Sequence, residues 1–73
     1  MGQSDGSTRD VASAERRTII LRATLGLLAE RGLYNTKIAD IARESGASIG
    51  SIYHHFGSRE GVFYALYVET FEL

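Results

Sequence analysis

Cysteine and proline are both absent from the 73-residue chain, and so is any long uninterrupted run of apolar residues. The lack of cysteine excludes a disulfide framework and a thiolate metal site. Because no apolar run follows a positively charged start, we expect neither secretion nor membrane spanning, but a soluble cytoplasmic protein. β-branched residues do not alternate with polar ones over any long stretch, so strands are not expected either.

Length and charge narrow the possibilities further. A chain of this size has room for one small domain at most. Residues 1–10 contain no apolar run after Met1, and we predict that they form a disordered leader. The net charge of −1 is unevenly spread, because the segment from Arg9 to Arg59 holds all eight basic residues and five of the nine acids, a local charge of +3. Such a centre is compatible with a phosphate-bearing partner but does not by itself indicate one.

Apolar residues recur with the 3.6-residue period of helices, and the pattern predicts four of them. The first covers residues 12–31, with an inward stripe at Ile20, Ala23, Thr24, Leu27 and Leu28. Hydroxyl side chains suited to N-caps begin the other three, at Thr36, Ser48 and Ser58. Glycines suited to C-terminal positions end the first three, at Gly32, Gly46 and Gly57. Glycine inside a helix, as at Gly26, is less favourable than alanine by about 1 kcal/mol. We therefore expect a structural reason for a glycine at this position, such as close packing.

The fourth predicted helix is apolar on every side. From Val62 to Leu73, nine of the twelve residues are apolar. Three short helices are too few to cover a helix of this kind. We therefore predict that residues 58–73 are the start of a linking helix, and that the natural polypeptide continues or that this helix docks on another chain.

The second and third predicted helices are joined by a short turn that contains Gly46. Two short helices with such a turn are typical of the helix-turn-helix, whose second helix enters the DNA major groove. Gly46 would adopt a backbone angle that most residues avoid. Small or apolar side chains would fill the space where the two helices cross, at Ile41, Ala42, Ala47 and Ile52. A helical hairpin with ordinary caps is the simpler interpretation of the same pattern.

A longer match favours DNA binding. Residues 20–66 resemble the N-terminal domain of TetR-family (tetracycline-repressor-like) bacterial transcriptional regulators, and the strongest pieces are RG followed by an aromatic residue and Thr36, DIA at 40–42, SGAS at 45–48, GSIYHHF at 50–56 and GSRE at 57–60. The resemblance implies an all-α fold, a three-helix bundle with a helix-turn-helix at residues 11–57. It also implies that a fourth helix, residues 58–73, leads to a ligand-binding and dimerisation domain outside this chain.

The resemblance also assigns DNA contacts by position. Thr36 and Lys37 would touch the DNA backbone, and Arg59 would hold a further phosphate. Tyr53 and His54 would donate to phosphates, with His54 also near a base. The residues that would approach base edges are Ser48, Ile49, Gly50 and Ser51. The family often has a polar or basic residue where Ile49 stands, so an apolar contact with a thymine methyl is expected there.

The adjacent histidines invite two other interpretations, which the pattern does not favour. A helical zinc pair is spaced i, i+4, whereas His54 and His55 are neighbours that point about 100° apart. No oriented nucleophile or partner carboxylate is recognisable for catalysis, so we expect no enzyme, no metal and no cofactor. His55 is expected to pack at the helix end. Arginines at Arg9, Arg16 and Arg17 fit a DNA-contacting arm and a solvated helix start equally well.

These patterns predict a sequence-specific DNA-binding domain of a transcriptional regulator, more specifically a repressor. The resemblance implies a homodimer on an inverted-repeat operator and release by a small-molecule effector. The alternative is a protein-interaction module that docks through its apolar fourth helix.

Overall fold

The computed structural model describes the backbone of residues 2–71 and the side chains of residues 12–69, and its regular structure in that part of the chain is entirely helical. In chain order the helices are α1 (Gly2–Arg31), α2 (Ile38–Ser45), α3 (Ile49–Phe56) and α4 (Arg59–Phe71). The predicted all-α class and the number of helices are therefore confirmed. None of these helices has both the length and the apolar character needed to cross a bilayer.

The first helix begins earlier than the sequence predicts. It starts at Gly2 and not near Ala12, so its backbone runs through most of the segment predicted as a disordered leader. Once a helix is anchored, here by Ile20, each residue added at its end gains one hydrogen bond and needs no new nucleus. The division of the chain into 1–10, 11–57 and 58–73 stays a prediction.

One small apolar core holds the four helices together. Its members come from every helix: Ile20, Leu21, Leu27, Ile38, Ile41, Ile52 and Val62. Leu21 was not on the predicted stripe of α1, whereas Ala23 and Leu28 were predicted there and are only half-buried. Burying such a side chain contributes about 1.5–3 kcal/mol, so a domain of this size depends on nearly all of them.

The turn between α2 and α3 is short, and its backbone conformation depends on Gly46. Gly46 has φ 78° and ψ 0°, the left-handed conformation, and its N–H donates to the Ala42 carbonyl. That conformation is unfavourable for residues with a Cβ, so the glycine allows α2 to end and α3 to begin within three residues. Ile41 and Ile52, on either side of the turn, are both fully buried. Helices α2 and α3 thus form the predicted helix-turn-helix.

Two ionic contacts connect α1 to the rest of the domain. Arg31, at the end of α1, lies 3.2 Å from the carboxylate of Asp40 on α2, which Arg43 approaches to 3.5 Å. Arg17 donates to Glu69 on α4, and its guanidinium lies 4.8 Å from the centre of the Phe56 ring on α3. Arg17 therefore contacts other helices of the domain. The sequence had allowed either a DNA-contacting arm or a solvated helix start at this residue.

The fourth helix is only partly covered. Val62 is fully buried and Ala65 and Leu66 pack on the core, but Tyr64 and Tyr67 are 70% and 62% exposed. The three other helices thus leave one face of α4 open, as its composition predicts. Continuation of the polypeptide, or docking of this face on another chain, stays a prediction.

Gly26 and Gly61 have opposite surroundings. A Cβ on Gly26 would meet nothing within 4 Å, so the expected close packing at this position is wrong. A Cβ on Gly61, in the first turn of α4, would overlap the backbone carbonyl of Phe56 at the end of α3. Gly61 therefore lets α4 start directly against α3, and the sequence contained no local sign of this contact.

We predict that Gly61→Ala destabilises the domain by about 1–3 kcal/mol, the usual range for overpacking, because backbone atoms must move to admit the methyl group. Gly26→Ala is the matched control and is expected to stabilise α1 by about 0.5–1 kcal/mol. Urea midpoints of both variants check this. Equal stability of the two would show that α3 and α4 do not approach so closely.

Candidate nucleic-acid interface

Helix α3 is held in place by both of its ends and by one buried side chain. The hydroxyl of Ser48 accepts a hydrogen bond from the Ser51 N–H at 3.0 Å, which confirms Ser48 as the N-cap. Gly57 follows the helix with φ 83°, and its N–H donates to the Tyr53 carbonyl. Ile52 is fully buried against the core. These restraints fix which face of α3 points outward.

The outward face contains the residues predicted to meet DNA. Ile49 and Tyr53 are each 47% exposed, Ser51 is half-buried, and the remainder are exposed: Ser48, Gly50 and His54. This surface therefore protrudes from the domain. Tyr53 is about half in contact with the protein and half in solvent. The surface offers hydroxyl donors, an imidazole and one apolar side chain.

Thr36 is the one predicted contact residue that the structure places inside the protein. It is fully buried, and its hydroxyl donates to the Gly32 carbonyl at 2.8 Å. It is not the N-cap of α2 either, since that position belongs to Lys37. The correction has a simple cause: the polar hydroxyl is satisfied by the end of α1, so the side chain is free to fill the space between α1 and α2. Thr36 is left out of the interface.

Lys37 occupies the N-cap position of α2 that was predicted for Thr36. Its side chain is exposed at the start of α2, and no carboxylate among the described side chains lies within salt-bridge distance of it. Its backbone N–H donates to Asp40 at 3.3 Å, which is one half of a capping box. That hydrogen bond first, and then the neighbouring Arg31 and Arg43, lower the pKa of Asp40 despite its partial desolvation. Asp40 thus carries its charge at neutral pH and holds the start of α2 in place.

Arg59 lies near the same end of α2, although it belongs to α4. One of its nitrogens reaches the Thr36 carbonyl at 3.5 Å, and the guanidinium lies 5.5 Å from the centre of the Phe63 ring. Its other contacts, at 3.3 and 3.2 Å, go to the carboxylate of Glu60. The fold therefore brings Lys37 and Arg59, far apart in the sequence, near each other at the start of α2.

The two histidines differ in environment. His54 is exposed on the outward face, whereas His55 is half-buried with Phe56 beside it, as expected for packing at the helix end. Burial lowers the pKa of His55, and the positive charges of His54, Arg16 and Arg17 lower it further. Arg16 is exposed on α1, and Arg9 lies outside the described side chains.

A helix-turn-helix with an exposed, polar second helix defines a class of DNA-binding domain. Residues 20–66 match the family model of bacterial regulatory proteins of the tetR family, and the chain belongs to this family. No solved structure gave a significant match.

Three relatives illustrate the match, and all are helix-turn-helix regulators. The transcriptional repressor KstR2 of Rhodococcus jostii is 49% identical over 47 residues, 64% of this chain and 23% of that protein. The transcriptional regulator HbdR of Aromatoleum sp. is 42% identical over 50 residues, 68% of this chain and 22% of that protein. The regulator BetI 2 of Chromohalobacter salexigens is 38% identical over 50 residues, with 68% and 24% covered. The chain thus spans about a quarter of the length of these relatives.

The environment of His55 predicts a pH dependence of stability. Because its folded pKa lies below the ordinary value of 6.5, the unfolded chain binds a proton first as the pH falls. The stability of the domain that depends on neutral His55 is therefore fully present above pH 6.5. This part of the free energy of unfolding is lost as the pH falls through the folded pKa of His55. Urea unfolding at pH 7.5 and pH 5 measures this loss, and His55→Gln is expected to remove it. The His54→Gln variant removes one repelling charge and should lessen the loss without abolishing it; an undiminished loss in His55→Gln would contradict the assignment.

Proposed function

We propose that this chain is the DNA-binding head of a transcriptional regulator, with α3 lying in the major groove. The observation that carries the proposal is the outward face of α3, which is polar and exposed while Ile52 on its opposite side is buried. Lys37 and Arg59, which lie near each other at the start of α2, supply the phosphate contacts. Tyr53 and His54 donate to further phosphates. Four residues meet the base edges: Ser48, Ile49, Gly50 and Ser51.

We extend the proposal to repression by a homodimer in the cytoplasm. Support comes from the relatives, since KstR2 is by name a transcriptional repressor and HbdR a transcriptional regulator. Two heads in a dimer would bind half-sites about 34–36 Å apart on an inverted repeat. A small-molecule effector bound elsewhere in the longer polypeptide would change that spacing and release the DNA. On this proposal the chain is not an enzyme.

A second function is favoured by one observation, the exposure of Tyr64 and Tyr67 on α4. In this alternative the chain is a protein-interaction module that docks through α4, and α3 serves only as scaffold. The two functions differ in the forces that they use, which are phosphate charge in one and apolar burial in the other.

Salt dependence separates them. Each phosphate neutralised by a protein cation releases counterions, so the binding constant for duplex DNA falls as salt rises. With Lys37 as a full phosphate contact and with Arg59 shared with the carboxylate of Glu60, we expect a log–log slope between about −0.9 and about −1.8 per head. Fluorescence anisotropy with a labelled duplex between 50 and 200 mM salt measures it. Absence of DNA binding, or a flat slope, would favour the docking module. A second experiment selects bound sequences from random duplexes with the longest natural polypeptide that carries this chain. Recovery of an inverted repeat would support the regulator.

The hydroxyl of Tyr53 tests the contact surface itself. Tyr53→Phe keeps the ring on the protein and removes one donor, so DNA binding should weaken by about 0.5–1.5 kcal/mol with unchanged stability. Tyr64→Phe, on the exposed face of α4, is the matched control and should leave DNA affinity as it was. Unchanged affinity in Tyr53→Phe would limit that side chain to packing.

A further inference from the structure

One carboxylate lies within the proposed DNA-contacting surface. Glu60 begins the first turn of α4, and its side chain is 73% exposed. Its Oε2 accepts from two nitrogens of Arg59, Nε at 3.3 Å and Nη2 at 3.2 Å. These are the donors that a DNA phosphate would use on an arginine, because carboxylate and phosphate oxygens match the same fork of N–H groups.

Two other described carboxylates, those of Asp40 and Glu69, form ion pairs within hydrogen-bonding distance. The arginines that they bind do not belong to the proposed DNA-contacting surface. Asp40 on α2 binds Arg31 on α1 and also Arg43 within α2, and Glu69 on α4 binds Arg17 on α1. The contacts with Arg31 and Arg17 connect helices and so support the fold. Glu60 binds its own chain neighbour, and the pair connects no two helices. An exposed pair of this kind contributes little to stability, typically about 0–1 kcal/mol.

Two further contacts, which do not involve Glu60, hold the Arg59 guanidinium beside the start of α2. They are the hydrogen bond to the Thr36 carbonyl and the ring of Phe63. Glu60 is therefore not needed to position the cation. Its carboxylate is kept charged, because its own backbone N–H and then Arg59 lower its pKa.

We infer that Glu60 restrains the DNA affinity of this domain by occupying the Arg59 donors that a phosphate would take. The inference rests on the proposed function. On binding, the phosphate must displace the carboxylate or approach beside it, and its charge is repelled in either case. The restraint acts on the sequence-independent part of the affinity, so it lowers binding to DNA in general and leaves base recognition by α3 untouched.

The test compares two neutralised carboxylates in the whole chain. Glu60→Gln and Glu44→Gln change the net charge equally, and Glu44 is an exposed acid on α2 that lies in no described ion pair. Binding to a random-sequence duplex is measured by anisotropy at several salt concentrations. We expect Glu60→Gln to bind about two- to fivefold more tightly at low salt, the range of one exposed ion pair. Its log–log salt slope should steepen by up to about 0.9 as Arg59 becomes a full contact.

Repeating the Glu60→Gln change in a chain that also lacks Arg59 shows whether the gain in DNA affinity depends on Arg59. In Arg59→Gln, which removes the guanidinium and its charge but keeps a polar side chain, the additional Glu60→Gln change is expected to have no effect beyond that of Glu44→Gln. A gain that persists in this background, or one that Glu44→Gln equals, would overturn the inference. Thermal melting of each variant confirms that the fold is kept.

Failure of the proposed function would look different. In that case the unaltered chain itself would show no salt-dependent binding to duplex DNA. Salt-dependent binding by the unaltered chain, together with equal affinities of Glu60→Gln and Glu44→Gln, would leave the DNA-binding function standing and remove the role of Glu60.

Discussion

The left-handed turn at Gly46 is the constraint on which the rest of the domain depends. It joins two helices of eight residues each, which are too short to be stable alone. Only when the turn is made do Ile41 and Ile52 reach the same core, where both have no exposed surface. Their burial in turn fixes the rotation of α3 about its axis. The outward position of Tyr53 and His54 therefore follows from a backbone angle several residues away.

The interface obtains its charge by local arrangement and not by composition. The chain as a whole carries −1, which would not attract a polyanion. The fold pairs Asp40 with Arg31 across α1 and α2 and with Arg43 within α2, and it pairs Glu69 with Arg17 across α1 and α4. Lys37 and Arg59 take no part in these pairs, and among the described side chains the carboxylate that binds Arg59 is Glu60. If the proposed function holds, a few neighbouring side chains set the affinity of this domain for phosphate.

The extent of the tetR-family match agrees with the position of the core and the helix-turn-helix. The matched segment, residues 20–66, includes the helix-turn-helix and the first half of α4 and coincides with the part of the chain that holds the core. Of the exposed tyrosines of α4, Tyr64 lies two residues before the end of this segment and Tyr67 just beyond it. A domain with seven buried apolar side chains among those described has little stability to spare, so each contact between helices contributes noticeably to folding. The close approach of Gly61 to the Phe56 carbonyl is one such contact, because it sets where α4 leaves the head.

The sequence by itself determined the features whose physical cause is contained within one helical turn. The apolar period, the Ser48 cap three residues before Ser51, and the left-handed glycines that end helices all depend on near neighbours. The outward face of α3 could be predicted for the same reason, since the apolar Ile52 must point the other way. Only the tertiary structure decided the burial of Thr36, the pairing of Arg17 with Glu69 across 52 positions, and the meeting of Arg59 with the start of α2. Those contacts join residues from different helices, and the distances between helices are set by the packing of the whole core, which no local pattern encodes.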